Sequence, residues 1–313
     1  MKTMLTNRIL VCSASFLFLL TACGNEKQSE ALDTPTTGIV PMVVDETVQP
    51  LCEQLIESFE YRYPKAFLVS RFMPENEVIN GLINDSARIA FLTRKLNARE
   101  EAYFTSKKFG LEQVLLATDA VAFVVNRSNT DSIFTTTQLR RILLGQDTLW
   151  SQIQPANTLG RISVVFDNPG SSNIRYLSDT LLGGNSLSSS CFAVNSNQAV
   201  IDYVNEHPEA IGVVGLNWIG DKDNAEDVKR REKIVLAAAG DSLATAVTPH
   251  QSALALKTYP FCREIWFVKV GKRPGLGTGF ASFAYSEAGQ LIVQKAGLLP
   301  AKPAERQIEM KIN

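Results

Sequence analysis

Three short polar stretches stand where an apolar run gives way to the start of a predicted helix. They are Asp45-Glu46-Thr47, Thr93-Arg94 and Gly170-Ser171-Ser172-Asn173. Free backbone N–H groups and the positive end of the helix dipole can bind a small oxyanion at such a position, and nearby hydroxyls add donors. Each stretch taken alone can instead be an N-cap, which is the commoner role. Several of these helix starts meeting in one cleft would form an anion site.

The sequence motifs of common enzyme classes are incomplete in this chain. Ile174 stands where the Gly-x-Ser-x-Gly nucleophile elbow has its last glycine. An ester hydrolase that uses Ser171 as nucleophile therefore ranks behind the two binding hypotheses given below. GLGTG at 275–279 lacks the spacing of a dinucleotide loop and is predicted to be a flexible connection. The chain has no phosphate loop, and its two histidines, His207 and His250, have no close cysteine pair beside them. We therefore expect no enzyme activity, no cofactor and no metal site.

Residues 1–22 have the pattern of a lipoprotein signal peptide. Lys2 and Arg8 make the start basic, residues 9–20 are apolar but too short to span a bilayer, and Leu20-Thr21-Ala22-Cys23 matches the box cut by lipoprotein signal peptidase. The pattern predicts an exported bacterial lipoprotein, anchored through acylated Cys23 on the periplasmic side of the cell membrane or the outer membrane. The alternative is an ordinary secretory signal with a chance cysteine.

The composition is that of a globular protein with a core. The 313 residues are 45% hydrophobic and 20% charged, which is enough for two domains of common size. With 31 basic and 32 acidic residues and no long basic run, no nucleic-acid partner is expected. Cys52, Cys191 and Cys262 are too widely spaced for a disulfide framework, so we expect buried thiols, although one pair could form.

The alternation of strand-like and helical patterns predicts an α/β fold with a largely parallel sheet. The predicted strands are 39–44, 66–72, 87–92, 113–126, 161–166, 211–214 and 234–239. The predicted helices are 49–63, 75–83, 136–144, 172–182, 198–206 and 280–296, and a charged surface loop is predicted at 221–233. The predicted domains are a tether at 23–37, a first lobe of 38–125 plus 245–313, and an inserted second lobe of 126–244.

Five segments follow one another in a recognisable order. They are Thr93 to Leu96 with Glu100, LRRILLGQDTLW at 139–150, VNEHPEAIG at 204–212, Tyr259 to Arg263, and Gly289 to Ala301. Together they resemble the PstS-like phosphate-binding proteins, the substrate-binding components of ABC-type phosphate importers, over about residues 40–310. The resemblance implies a two-lobed type II periplasmic binding-protein fold that closes by a hinge around a small oxyanion, with phosphate as the first candidate. It also implies an ABC permease of the inner membrane as partner.

The resemblance also implies which residues bind the ligand. The family's Gly-Ser-x-Thr element falls on residues 44–47 and keeps only Thr47, and its Arg-x-x-Gly-Ser-Gly-Thr element falls on residues 167–173, with Asp167 at the arginine position. The predicted site therefore comprises Asp45, Glu46, Thr47, Thr93, Arg94, Asp167, Gly170, Ser171, Ser172 and Asn173. Hydroxyls, Asn173 and Arg94 are the donors, and one of the three acids accepts the proton of phosphate; Arg175 is a further candidate cation.

The acids leave a second hypothesis open. Three carboxylates close to a dianion would repel it by about 1–4 kcal/mol per pair. A lipoprotein of the same fold that binds a cationic, neutral or protein ligand through an acid-lined cleft is therefore the alternative.

Overall fold

The computed structural model describes residues 33–272 and 274–302. The predicted signal peptide and Cys23 lie outside these residues. In the described part of the chain, no helix is long and apolar enough to cross a membrane. Packing starts earlier than the predicted boundary at residue 38, because the Asp33 carboxylate already accepts a hydrogen bond from the Leu276 backbone N–H at 2.7 Å.

The predicted strands lie close to observed ones, but some observed strands were not predicted. In chain order the observed strands are β1 (Gly38–Asp45), β2 (Ala66–Met73), β3 (Ile89–Leu92), β4 (Leu111–Asn126), β5 (Ile133–Thr135), β6 (Ser163–Phe166), β7 (Cys191–Ala193), β8 (Ala210–Gly215), β9 (Ile234–Leu236), β10 (Ala238–Gly240), β11 (Cys262–Val270) and β12 (Leu299–Pro300). Those that were not predicted are β5, β7, β11 and β12. The single strand predicted at 234–239 is two strands, because β9 pairs with β4 while β10 pairs with β5.

The helices include several that the sequence did not predict. They are α1 (Gln49–Arg62), α2 (Glu75–Ile83), α3 (Ala98–Ser106), α4 (Thr136–Leu143), α5 (Trp150–Ile153), α6 (Ser172–Leu177), α7 (Asn197–Glu206), α8 (Ala225–Lys233), α9 (Gln251–Ala255), α10 (Leu276–Ala284) and α11 (Glu287–Lys295). A 3-10 turn at 46–48 precedes α1, and a π turn at 178–182 extends α6 until Gly183, whose φ of 60° ends it.

Three local predictions were wrong. The segment 221–233 is not a loop, since Asn224 caps α8 by accepting from the N–H groups of Glu226 and Asp227. GLGTG is not a flexible connection: it contributes the first turn of α10, where a Cβ at Gly279 would overlap the Pro35 carbonyl. The helix predicted at 280–296 is broken before α11, which Ser286 caps.

One mixed sheet runs through the molecule, in contrast to the largely parallel sheet that was predicted. Its order is β2-β1-β3-β11-β4-β8-β6-β7, with β9 and β12 also paired to β4. The outer pairs β1–β2, β1–β3, β6–β7 and β6–β8 are parallel, whereas β11 and β4 pair antiparallel with their neighbours. We call β2-β1-β3-β11 the first half-sheet and β8-β6-β7 the second half-sheet. The long strand β4 joins them, because its first part pairs with β11 and its last part with β8.

Two hydrophobic clusters lie on opposite faces of β1. Met42 and Val44 belong to the larger cluster, together with Leu51 of α1, and Val43 belongs to the smaller cluster, together with Val78 of α2. This follows from the alternation of side chains along a strand, which sends neighbours to opposite faces. The helices that follow β1 and β2 therefore cover different faces of the first half-sheet. The three cysteines of the described chain, Cys52, Cys191 and Cys262, are free thiols.

Candidate ligand cleft

Polar residues collect where parallel strands of the two half-sheets end. Asp45 ends β1, Thr93 follows β3 and Asp167 follows β6, while Glu75 opens α2 just after β2. Ligands of open α/β folds bind at the carboxyl ends of the strands, where helices begin. The three predicted polar stretches are therefore brought together, and they meet side chains that the sequence did not single out.

Arg263 connects the two half-sheets at the centre of this cleft. It lies on β11 with only 3% of its surface exposed, and its Nη1 donates to Asn173 Oδ1 at 2.8 Å and to Ser172 Oγ at 3.2 Å. Its Nη2 donates to Thr47 Oγ1 at 3.2 Å. The charge of Arg263 is balanced by buried Asp119, whose Oδ2 accepts from both Nε and Nη2. Arg263 stood in one of the family-like segments, but it was not predicted to be a site residue.

Thr47 is the hydroxyl on which these contacts meet. Its backbone N–H and its Oγ1 donate to Asp45 Oδ1 at 3.0 and 2.8 Å. Its Oγ1 also lies 2.9 Å from Ser172 Oγ. Asp45 thus caps the 3-10 turn and orients a cleft hydroxyl at the same time, so capping and site formation are combined here rather than exclusive.

Glu75 is the second residue that the sequence did not predict. Its Oε1 accepts from Arg94 Nε at 2.8 Å and forms an ion pair with Arg175 Nε at 2.8 Å. Its Oε2 accepts from Thr93 Oγ1 at 3.1 Å and from Arg175 Nη2 at 3.0 Å. The carboxylate is almost fully buried. Arg175, which was a candidate cation, does turn into the cleft.

Arg94 lies at the edge of the cleft, held by acids. Its Nη1 and Nη2 donate to the two oxygens of Glu100 at 2.8 and 2.9 Å, and its Nη1 also donates to the Lys95 carbonyl. These bonds to Glu100 raise the pKa of the Arg94 guanidinium further above its usual range. A bidentate pair of this kind is strong and fixes the side chain. Most of the donors of Arg94 are therefore committed within the protein.

Asp167 stands at the position where the family element has an arginine, and it is fully buried. Its Oδ1 accepts from Asn173 Nδ2 at 3.2 Å and its Oδ2 from Asn197 Nδ2 at 3.1 Å. Burial raises the pKa of the Asp167 carboxyl, because the charged form is poorly solvated. Asn197 was not predicted, and its Oδ1 is buried with no hydrogen-bond partner among the described residues.

Two further carboxyls of the cleft have raised pKa values. Burial, and then the charge of Glu75, raises the pKa of Asp45 to about 6. Burial, followed by the charges of Asp167 and Asp45, raises the pKa of Glu46 to about 7. Glu46 is half-buried and its Oε1 is buried without a hydrogen-bond partner among the described residues. Near neutral pH these groups can carry protons and act as donors.

The residues at the start of α6 have different structural roles. Ser171 is the N-cap of α6, because its Oγ accepts from the Asn173 backbone N–H at 3.0 Å. Ser172 instead turns its hydroxyl to Thr47 and Arg263. Gly170 is where the chain passes close to α2: a Cβ there would lie 2.8 Å from Asn76 Oδ1 and 3.3 Å from Pro74 Cβ. Its lack of a side chain therefore permits close approach between the two halves of the molecule.

The histidines contact other parts of the molecule. The ring of His207 stacks on Tyr203, with 3.9 Å between the centroids, and its Nδ1 pairs with Glu209. His250 Nδ1 lies 2.8 Å from the Thr248 carbonyl. Among the described residues, no group of three or more histidines, cysteines and carboxylates is arranged to hold a metal ion.

Comparison with known sequences identifies related proteins. A sequence model described as the PBP superfamily domain matches residues 29–288. Phosphate-binding protein PstS 2 from two strains of Streptococcus agalactiae is 28% identical over 118 residues, and the chain spans 38% of the length of these curated relatives.

Comparison with solved structures identifies the same fold. A putative phosphate ABC transporter substrate-binding protein from Clostridium perfringens, with bound phosphate, gives a TM-score of 0.71 at 21% identity and covers 85% of this chain and 100% of its own. An ABC-type phosphate transport receptor from Vibrio cholerae gives 0.63 at 22% identity, covering 84% and 100%. The chain therefore has the expected two-lobed type II periplasmic binding fold, and it belongs to the family of the PBP superfamily domain.

Proposed function

We propose that this protein binds inorganic phosphate between its lobes and delivers it to an ABC permease, as an exported lipoprotein anchored through Cys23. The observation that carries the proposal is the meeting of Thr47, Ser172 and Arg263, which come from opposite sides of the cleft and lie within 3.2 Å of one another. The Ser172 hydroxyl and the Arg263 guanidinium, beside two helix starts, are suitable donors for a tetrahedral oxyanion, and Thr47 joins them when Asp45 carries a proton and no longer accepts from its hydroxyl. The Streptococcus agalactiae relatives are phosphate-binding proteins, and the Clostridium perfringens structure holds bound phosphate.

The charges of the cleft determine which form of phosphate it accepts. Arg94, Arg175 and Arg263 are each paired with a carboxylate, so they offer little uncompensated positive charge. Asp45 and Glu46, with pKa values of about 6 and about 7, are partly protonated in mildly acidic solution. Dihydrogen phosphate, a monoanion with two protons to donate, therefore suits this cleft better than the dianion does. We expect phosphate affinity to rise as the pH falls from 8 to 6.

Titration calorimetry tests the function directly. The chain from Gly24 onward, which lacks the predicted signal peptide and lipidated cysteine, is partly unfolded to release bound ligand, refolded, and titrated with phosphate and with sulfate at pH 6 and pH 8. Micromolar or tighter phosphate binding, strongest at pH 6 and absent for sulfate, is the expected result. No heat of binding with phosphate at either pH would contradict the proposal and direct attention to cationic, neutral or protein ligands.

The remaining parts of the proposal have their own tests. Labelling with a radioactive fatty acid in the producing cell, with and without a Cys23→Ser change, shows whether the cysteine carries lipid. Crosslinking of the protein to a membrane fraction, in the presence and absence of phosphate, shows whether a permease subunit is its partner. An unlabelled wild-type protein would contradict the anchor, and an unchanged crosslinking pattern would contradict delivery to a permease.

A further inference from the structure

A partly buried ion pair joins the two halves of the cleft. Glu75 opens α2, next to the first half-sheet, and Arg175 lies on α6, which follows β6 of the second half-sheet. Arg175 Nη2 donates to Glu75 Oε2 at 3.0 Å, and Arg175 Nε lies 2.8 Å from Oε1. Next to this pair, Gly170 packs against Asn76 and Pro74. The contact therefore spans the cleft where the two halves approach each other closely.

Glu75 is the main anion that Arg175 meets in the cleft. The other acid that Arg175 contacts, Asp179, lies on the same stretch of chain, 3.4 Å away, and is largely exposed. Glu75 also accepts from Arg94, so one carboxylate lies between two guanidinium groups. Guanidinium groups bind carboxylates and phosphates through the same paired N–H donors. Glu75 thus holds donors that an oxyanion would otherwise attract.

Glu75 is not placed to accept a hydrogen bond from a protonated ligand. Such an acceptor needs an oxygen with free capacity directed at the ligand. Oε1 of Glu75 already meets both arginines, and Oε2 already accepts from Thr93 and Arg175. Glu75 therefore acts on a bound ion in two ways: its negative charge repels the ion, and its ion pairs restrain the arginines that would otherwise bind it.

We propose that Glu75 is a built-in anion that occupies Arg175 and the Nε donor of Arg94 and thereby excludes dianions from the cleft, which makes it a determinant of specificity. This inference rests on the proposed function, because it assumes that the cleft binds an oxyanion. A second full negative charge on the ligand would face the carboxylate of Glu75 with the arginines already neutralised. A monoanion carries one negative charge fewer, so the Glu75 carboxylate repels it less and it can bind in the cleft.

Replacement of Glu75 tests the inference with sulfate as the dianion. Glu75→Gln removes the charge and retains the shape, so Arg175 and the Nε donor of Arg94 become available to the ligand, while the Nη donors of Arg94 stay with Glu100. We expect sulfate affinity at pH 6 to rise at least tenfold over the wild type in titration calorimetry. Glu57→Gln is the control, because Glu57 is an exposed acid on α1, and it should change sulfate affinity less than twofold.

The outcomes separate this inference from the proposed function. Phosphate binding by the wild type, with sulfate affinity unchanged in Glu75→Gln, overturns the inference and leaves the function standing. Sulfate binding gained by Glu75→Gln, with no phosphate binding by the wild type, supports the inference and overturns phosphate as the ligand. If neither protein binds either ion, both are overturned.

A second variant removes the dependence on correct folding of the first. Circular dichroism and thermal melting establish whether Glu75→Gln is folded. If it is not, Glu75→Ser replaces it, because serine is short, neutral and tolerated at the start of a helix. The same tenfold gain in sulfate affinity is expected, and a folded serine variant that still excludes sulfate overturns the inference.

Discussion

Arg263 and Asp119 form an ion pair that is closed off from solvent, with side chains 1% and 0% exposed and 2.8 Å between Nη2 and Oδ2. The two residues lie on neighbouring strands, where Arg263 is the register partner of Asp119. The pair thus links the centre of the cleft to the strand that joins the half-sheets.

Asp119→Ala should be strongly destabilising. Removal of one partner leaves the Arg263 guanidinium buried and uncompensated, which typically costs about 3–5 kcal/mol of unfolding free energy. Urea denaturation followed by circular dichroism measures this. Arg88→Ala is the control, since its pair with Asp85 is more than half exposed and is worth about 0–1 kcal/mol. Equal losses in the two variants would contradict the structural importance of the buried pair.

Arg263→Lys should weaken phosphate binding at least tenfold. Lysine retains the positive charge but lacks the planar fork with which Arg263 reaches Asp119, Asn173, Ser172 and Thr47 at once. Calorimetry with phosphate at pH 6 measures the loss. Arg140→Lys is a suitable control, because the Arg140 guanidinium donates to the Leu181 carbonyl, outside the cleft. Phosphate affinity within twofold of wild type in Arg263→Lys would remove Arg263 from the binding site.

The sequence predicted only part of this cleft. Thr47, Thr93 and Ser172 were predicted because strand-to-helix transitions have local signatures of short polar residues, whereas Asp167 was predicted from the family resemblance alone. Glu75 was missed because an acid in the first turn of a helix is also what the helix dipole favours, so its type alone indicates no contact across the cleft.

Arg263 and Asp119 were missed for a different reason. Asp119 is the one charged residue of LLATDAVAFVVN, whereas Arg263 shares CREIWFVKVG with Glu264 and Lys269, and a buried charge needs a partner. That pattern was a usable signal, but only the register of β4 and β11 shows that the two charges are each other's partners. The lobe boundaries given for the sequence stay a prediction.

Stability should decrease as the pH rises from about 4 to about 7. Burial places the folded-state pKa of Glu46 at about 7 and of Asp45 at about 6, above their ordinary values near 4. The folded protein therefore binds protons that the unfolded chain has already lost in this range, so raising the pH favours unfolding. The loss is about 3 kcal/mol for fully buried Asp45 and, after allowance for solvent screening, on the order of 1–2 kcal/mol for half-buried Glu46.

Denaturation in urea at pH 4.5, 6 and 7.5 measures this loss. Glu46→Gln, which cannot ionise, should flatten the decline, whereas Glu57→Gln, an exposed acid on α1, should leave it unchanged. A stability that rises between pH 4.5 and 7.5 in the wild type would show that these carboxyls are not held in their protonated form by the fold.

Gly170→Ala should weaken phosphate binding about three- to tenfold with little change in overall stability. The added Cβ would lie 2.8 Å from Asn76 Oδ1 and 3.3 Å from Asn76 Cγ, so it opposes the close approach of the two halves rather than the packing within either one. Calorimetry gives the affinity and thermal melting of the ligand-free protein gives the stability.

The double variant Gly170→Ala with Asn76→Ala tests that explanation of the loss. Asn76 is exposed, and shortening its side chain removes the two nearest of the atoms that the new Cβ would meet. We expect phosphate affinity to return to within twofold of the Asn76→Ala single variant, because the steric conflict that opposes closure is gone. Non-additivity of this kind is characteristic of residues in direct contact. A double variant that binds as weakly as Gly170→Ala alone would mean that Gly170 serves the ligand directly and not the approach of the two halves.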